Sequence, residues 1–279
     1  MKAVLKIICV TTAILVFAGC EKKTSASKTV VEKRKAIEMV TSYGTIVMEL
    51  YNKTPLHRDN FIKLVDEKAY DSLLFHRVIQ NFVIQAGDPK SKYAQAQDTI
   101  GGGGLSYTVK AEIDTTLFHK KGVLASARDQ RLDRASDGIQ FYLVQGKIYN
   151  DSLLSIAETR INTFLAEHYM RNDPAYSSIL DRIDKALEIS EENLNTLYKD
   201  SLDGLIEAYD NFERYTIPES HRSVYKSIGG TPHLDQSYTV FGEVVKGLEV
   251  IDSIATVQVG DKYRPLSEVR IQSMRILEY

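Results

Sequence analysis

An alternation of apolar and polar residues with a period of two opens the folded part of the chain. Ile37–Thr41 and Thr45–Tyr51 alternate on either side of Ser42-Tyr43-Gly44, which predicts a β-hairpin. Thr54-Pro55 then reads as an N-cap and first helical residue, and Phe61, Leu64 and Val65 share one face of the helix that follows. Further strands are predicted at Phe75–Ile79, Phe82–Gln85, Tyr107–Ile113, Val123–Ser126 and Ile139–Val144. At Asn150 the period changes. Leu153, Ile156, Ile161, Phe164 and Leu165 recur at helical spacing, as do Ile179, Ile183, Leu187, Leu194 and Leu197. Asn172-Asp173-Pro174 is the expected break between a first and a longer second helix.

Strand character returns at Gly229, with alternation over Tyr238–Val245, a short helix over Leu248–Ala255 and a last strand over Ile271–Leu277. The pattern predicts a β-rich domain in two parts, 36–148 and 229–279, interrupted by a helical insertion at 149–228. Between Tyr149 and Ile228 lie fifteen acids and eight bases, a net charge of −7, and a single glycine, Gly204. No internal repeat is evident.

Composition narrows the class without naming it. The 279 residues are 43% hydrophobic and 26% charged, with 35 Lys+Arg against 37 Asp+Glu. Those values exclude a disordered chain, a collagen-like repeat and a polytopic membrane protein. The near-neutral balance supplies no broad basic surface, so no nucleic acid partner is expected.

The first residues carry an address. Lys2 and Lys6 precede the apolar run Ile7–Ala18, which is too short to span a bilayer comfortably and suits a secretory signal. Phe17-Ala18-Gly19-Cys20 resembles a bacterial lipoprotein cleavage box. The resemblance implies a signal peptide at 1–19, cleavage before Cys20 and acylation of Cys20; a plain signal peptide with a chance cysteine is the alternative. Cys9 and Cys20 are the only cysteines, so the mature chain would hold no disulfide. Residues 20–35 would be the acylated cysteine and a polar tether. The expected location is the bacterial cell envelope, anchored to a membrane through the lipid on Cys20, with the domain outside the cytoplasm.

The densest candidate chemistry is Phe75-His76-Arg77-Val78-Ile79-Gln80-Asn81-Phe82-Val83-Ile84-Gln85-Ala86-Gly87-Asp88-Pro89. A turn at Gln80-Asn81 would fold this run into a hairpin that sets Arg77 and Gln85 beside apolar groups. The run resembles the signature of the cyclophilins, the cyclosporin-binding type of peptidyl-prolyl cis-trans isomerase. Further blocks match in the family's order: Gly101–Gly104, Gly122–Arg128, Gln140–Val144, Pro232–Asp235 and Tyr238–Val244. The implied fold is mainly β (α+β), a closed eight-stranded antiparallel barrel with two flanking helices, here carrying an inserted α-helical segment. The implied activity is isomerisation of X–Pro bonds in unfolded or partly folded exported proteins.

Carried over by position, Arg77 matches the catalytic arginine, Gln85 the glutamine that orients it, and Phe82, Val83, Tyr142 and Leu234 the proline pocket. Ala127 and Arg128 match the strand whose backbone pairs with substrate, and Gln140 lines the same groove. Val83 stands where methionine is common, Tyr142 where phenylalanine is usual, Arg128 for asparagine and Tyr238 for a histidine at the groove edge. His233 occupies the position of a tryptophan in cyclosporin-sensitive members, which puts cyclosporin binding in doubt while leaving isomerase activity intact.

These residue types suit the reaction. Amide resonance opposes rotation by roughly 18–20 kcal/mol, and X–Pro bonds exchange isomers only over tens to hundreds of seconds. A fixed cation that hydrogen-bonds the twisted imide stabilises it above either planar form, and needs no metal or cofactor. About four decades of acceleration corresponds to roughly 5–6 kcal/mol. Competing chemistry is weak. His57, His76, His119, His168, His221 and His233 are scattered without metal-ligand spacing, and no Gly-x-Ser-x-Gly elbow occurs. The insertion flanks residues assigned to the groove, so it could roof the groove, extend it, dock a partner or merely pack on itself. A non-catalytic chaperone or scaffold that binds Pro-containing segments is the alternative class.

Overall fold

The computed structural model describes residues 33–189 and 192–278. The signal segment, Cys20 and most of the tether lie outside the described residues. Strands β1 (Ala36–Thr41) and β2 (Gly44–Leu50) form the expected hairpin, closed by a hydrogen bond from Thr41 Oγ1 to the Gly44 carbonyl at 2.8 Å. Helix α1 (Pro55–Asp66) buries His57, Phe61, Leu64 and Val65. Its N-terminus departs from the expected arrangement, because the Thr54 side chain makes no capping bond. The Glu112 carboxylate instead accepts from the amides of Leu56 (3.0 Å) and His57 (2.9 Å), satisfying donors that the first helical turn leaves open.

The chain continues through β3 (Arg77–Ile79), β4 (Val83–Ala86), β5 (Thr108–Val109), β6 (Val123–Ser126), β7 (Ser136–Asp137) and β8 (Phe141–Val144). The insertion follows as α2 (Asp151–Arg171), α3 (Ser177–Ile189), α4 (Glu192–Ala208) and α5 (Glu219–Ser227). Strand β9 (Val240–Lys246), helix α6 (Leu248–Ala255) and β10 (Ile271–Leu277) complete the fold. Eight strands form one antiparallel sheet in the order β10-β1-β2-β9-β6-β8-β4-β3, while β5 and β7 pair separately.

Two expectations about the β domain are corrected. The sheet is an open half-barrel, not a closed barrel. Its end strands β3 and β10 do not pair as a ladder, because β3 is only three residues long. The segment before β3 reaches β10 through one bridge, Leu74 to Arg270, and a few backbone bonds, including Ile271 N to Leu73 O at 2.8 Å. The predicted strand Tyr107–Ile113 shrinks to Thr108–Val109. Beyond Val109 the chain leaves the ladder to deliver Glu112, whose amide donates to Thr239 Oγ1 at 3.0 Å.

The core lies between the concave sheet face and helices α1 and α6. Ile37, Met39, Ile46, Met48 and Leu50 pack there with Phe61, Phe141, Ile251 and Ile254. The insertion builds its own apolar clusters. Helix α2 buries Leu154, Ala157, Ile161 and Leu165, a stripe that keeps the predicted Ile161 and Leu165 but replaces Leu153 and Ile156 with Leu154 and Ala157, leaving Ile156 exposed. Where two helices were expected, the described residues form four, of which α2, at 21 residues, is the longest. A returning strap is tied to α2 by Asn162, whose side chain accepts from Tyr215 N and donates to Tyr215 O, both at 2.8 Å. No helix among the described residues is long and apolar enough to cross a membrane.

Candidate active site

The β3–β4 hairpin turns at Gln80-Asn81, with Asn81 in the left-handed region at φ 62° that asparagine tolerates. Register sets Arg77 opposite Gln85, Val78 opposite Ile84 and Ile79 opposite Val83. Val78 and Ile84 enter the core, so the alternating residues Arg77, Val83 and Gln85 face the other side. Arg77 Nη1 donates to Gln85 Oε1 at 3.2 Å. Gln85 Nε2 donates to Gln140 Oε1 at 2.9 Å, and Gln140 Nε2 donates to the carbonyls of Gly103 (2.6 Å) and Gly101 (3.1 Å). Every amide in this chain is oriented by the next, ending on fixed backbone. The Arg77 guanidinium also lies 5.7 Å from the centre of the Phe82 ring.

A cavity of about 160 Å³ opens beside this guanidinium, lined by Arg77, Gln85, Phe82, Val83, Ala127, Arg128, Tyr142, Leu234 and Tyr238. Nine of the eleven groove residues singled out in the sequence therefore meet at one place. Gln140 stands behind Gln85, buried, and reaches the cavity only through it. His233 stacks on Phe82, with ring centroids 5.4 Å apart and planes at 17°, and so supports that wall from outside. Burial, reinforced by the nearby Arg160, holds the His233 imidazole down at a pKa of about 4, so it is neutral at neutral pH.

A family model described as "Cyclophilin type peptidyl-prolyl cis-trans isomerase/CLD" matches residues 36–168 and 213–276. The chain belongs to this family. Two similar proteins, each named "Putative peptidyl-prolyl cis-trans isomerase", come from Staphylococcus haemolyticus and Staphylococcus aureus. The first is 25% identical over 251 residues, covering 90% of this chain and 95% of the relative. The second is 26% identical over 243 residues, covering 87% and 91%. A crystal structure of a cyclophilin-type isomerase from Cryptosporidium parvum shares the fold, with a TM-score of 0.53 at 17% identity, over 88% of this chain and 99% of that one.

Within this cyclophilin the Ala127 backbone is already committed. Its amide donates to Gln140 O at 3.0 Å and its carbonyl accepts from Asp137 N at 2.9 Å, so Ala127 offers the cavity a methyl group rather than a free peptide unit. Arg128 uses its side chain internally as well. Nε donates to Ser237 O and Nη2 to Ser237 Oγ, each at 2.9 Å. Its guanidinium is sandwiched 4.9 Å from the Tyr238 ring and 5.2 Å from that of Phe164, which α2 contributes from the insertion.

One layer of the site escaped the sequence reading. Burial holds the Tyr142 phenol well above its usual pKa, so the hydroxyl keeps its proton and donates it to His119 Nε2 at 2.9 Å. His119 Nδ1 then donates to Asp235 Oδ1 at 2.8 Å, and that oxygen also accepts from the His119 amide at 2.8 Å. The other carboxylate oxygen accepts from the Tyr225 hydroxyl. The clue was Tyr142 itself: a phenol in a position that otherwise calls for phenylalanine needs a buried partner.

Proposed function

We propose that this cyclophilin accelerates cis-trans isomerisation of X–Pro bonds in exported proteins, with Arg77 stabilising the twisted imide and the proline ring held in the neighbouring cavity. The observation that carries the mechanism is the Arg77–Gln85–Gln140 chain, which holds a guanidinium in fixed orientation at the edge of an apolar cavity. The cavity has the volume of roughly five water molecules, in keeping with a five-membered ring. Rotation makes and breaks no covalent bond, so catalysis reduces to binding the twisted state better than the planar ones. Desolvated by Phe82, the guanidinium donates where the prolyl nitrogen gains a lone pair as conjugation is lost. The Arg128 amide and carbonyl make no hydrogen bond among the described residues and are the groups left to pair with the substrate backbone.

The test is exchange spectroscopy on a short X–Pro peptide with the full-length chain. Arg77→Ala should lower kcat/KM by about a hundredfold or more, the usual scale for removing one preorganised donor. An Arg77→Ala variant as active as wild type would overturn the mechanism. A non-catalytic binding module is the second reading, kept because the insertion lays Phe164 against Arg128 of the cavity. It would reveal itself by client binding without turnover in the wild type. The exported location rests on the Met1–Cys20 segment. Labelled fatty acid should enter the wild type but not Cys20→Ser, and equal labelling of both would remove the anchor.

A further inference from the structure

A second and larger cavity, about 840 Å³, shares Arg77 and Gln85 with the proline cavity. Its floor is the segment Leu74–Arg77, and its walls are two loops, 96–101 and 260–266. The loops do not simply drift near one another. The Arg264 guanidinium donates to the carbonyls of Asp98 and, at 2.8 Å, Gln95, fastening one wall to the other. On the second loop Lys262 and Tyr263 both adopt left-handed backbone, at φ 56° and 61°, and Tyr263 and Leu266 stand 52% and 67% exposed. Two large apolar side chains on a concave rim are the kind of surface that marks a binding site.

Charge restricts the occupant. The lining carries Arg77, Lys262 and Arg264 against Asp98, Asp261 and Glu268, so neither sign dominates. Arg264 is spent on loop carbonyls and Glu268 is paired with Arg270 at 2.7 Å. A phosphate-bearing or strongly acidic ligand would find no cationic cluster there. Phe75, Ile100, Pro265 and Leu266 alternate with Thr99, Gln97 and backbone, which is the mixture a neutral polypeptide with apolar side chains satisfies. The size is within the range that encloses several residues' worth of ligand.

We infer that this cleft holds the polypeptide flanking the isomerised bond, so that a client runs from the proline cavity across Arg77 into a second, sequence-selective subsite that favours apolar residues. The inference rests on the isomerase reading of the proline cavity. It makes the loops 96–101 and 260–266 the specificity elements, and it separates what short and long substrates experience. A four-residue peptide fills only the smaller cavity. A longer one gains the contacts of the larger cavity, less the cost of ordering its own side chains.

The experiment compares a four-residue X–Pro peptide with peptides lengthened by four apolar-rich residues before or after it, using the full-length chain. Catalysis is followed by exchange spectroscopy, and binding of the fluorescein-labelled long peptides by polarisation. Lengthening on one side should lower KM, and the polarisation Kd, by about tenfold. Leu266→Glu, which charges the exposed rim, and Ala96→Trp, which crowds the mouth, should each remove that gain while short-peptide kcat/KM stays within about twofold. The inference is overturned if lengthening on neither side improves binding, or if the gain survives in both variants. Long-peptide binding that is sensitive to Leu266→Glu, with no turnover of any peptide, would leave the cleft standing and sink the isomerase reading instead.

Discussion

The Tyr225 hydroxyl donates to Asp235 Oδ2 across 2.7 Å, joining the last helix of the insertion to the side-chain network behind Tyr142 and the cavity beside Arg77. Asp235 is fully committed by that bond: one oxygen serves His119 twice and the other serves Tyr225, with no solvent contact to speak of. The insertion is therefore fastened to the catalytic domain at a buried carboxylate. Tyr225→Phe should lower unfolding free energy by about 1–3 kcal/mol, the scale for stranding a buried acceptor, as measured by urea denaturation. A variant as stable as wild type would mean that the bond is dispensable.

Under the proposed mechanism Gln140 acts on the reaction only through Gln85, to which it is hydrogen-bonded. Gln140→Leu should leave Gln85 free to rotate away from Arg77 and so lower kcat by about tenfold, with KM changing much less. A rise in KM at constant kcat would instead assign Gln140 to substrate binding.

Glu112 caps α1 from a distant loop. Replacing it by alanine removes the acceptor for two helix amides and the 2.7 Å partner of His57 Nδ1. The expected loss is about 1–2 kcal/mol, the upper part of the range for helix caps. Thermal or urea unfolding of Glu112→Ala reads it directly, and an unchanged midpoint would refute the assignment.

Acidity should weaken the fold before carboxylates begin to titrate. Burial holds His76 and His233 at about 4, below the roughly 6.5 of an unfolded chain, so the folded state prefers both neutral. For a depressed histidine the contribution is complete above about pH 6.5 and is lost as pH falls toward 4, at up to about 1.4 kcal/mol per pH unit for each group. The Tm should therefore drop between pH 6.5 and 5. Burial holds His168 at about 4 as well and also lowers His57 and His221, so His233→Phe, which deletes one of five depressed histidines, should reduce the dependence without abolishing it. A Tm flat across that interval would contradict both assignments.

The β3–β4 hairpin was legible because a two-residue period and a recognisable turn determine which side chains share a face. The pairing of Arg77 with Gln85 came from the resemblance: a two-residue turn at Gln80-Asn81 would set Arg77 opposite Ile84, whereas the ladder is centred on Asn81. The support behind Tyr142 was not legible, since His119 and Asp235 lie 116 positions apart and nothing local announces their meeting. Pro174 marked the first break in the insertion, as its missing amide and fixed backbone require. Gly204, a natural candidate for a break, sits inside α4. Closure of the sheet was inherited from the resemblance rather than read from residues, and the three-residue β3 was too short to provide it.

That incomplete closure leaves β10 as an outermost strand, a position where unpaired backbone can recruit a neighbouring molecule. Here some of the vulnerable groups are occupied. The Ile271 amide is bonded to Leu73 O, the Met274 amide donates to Asp71 Oδ1 at 3.0 Å, and Arg275 stands outward on the strand, paired with Glu38. The segment just before β3 therefore covers the start of this edge and leaves a neighbouring strand less of it to pair with, although no continuous ladder closes the sheet.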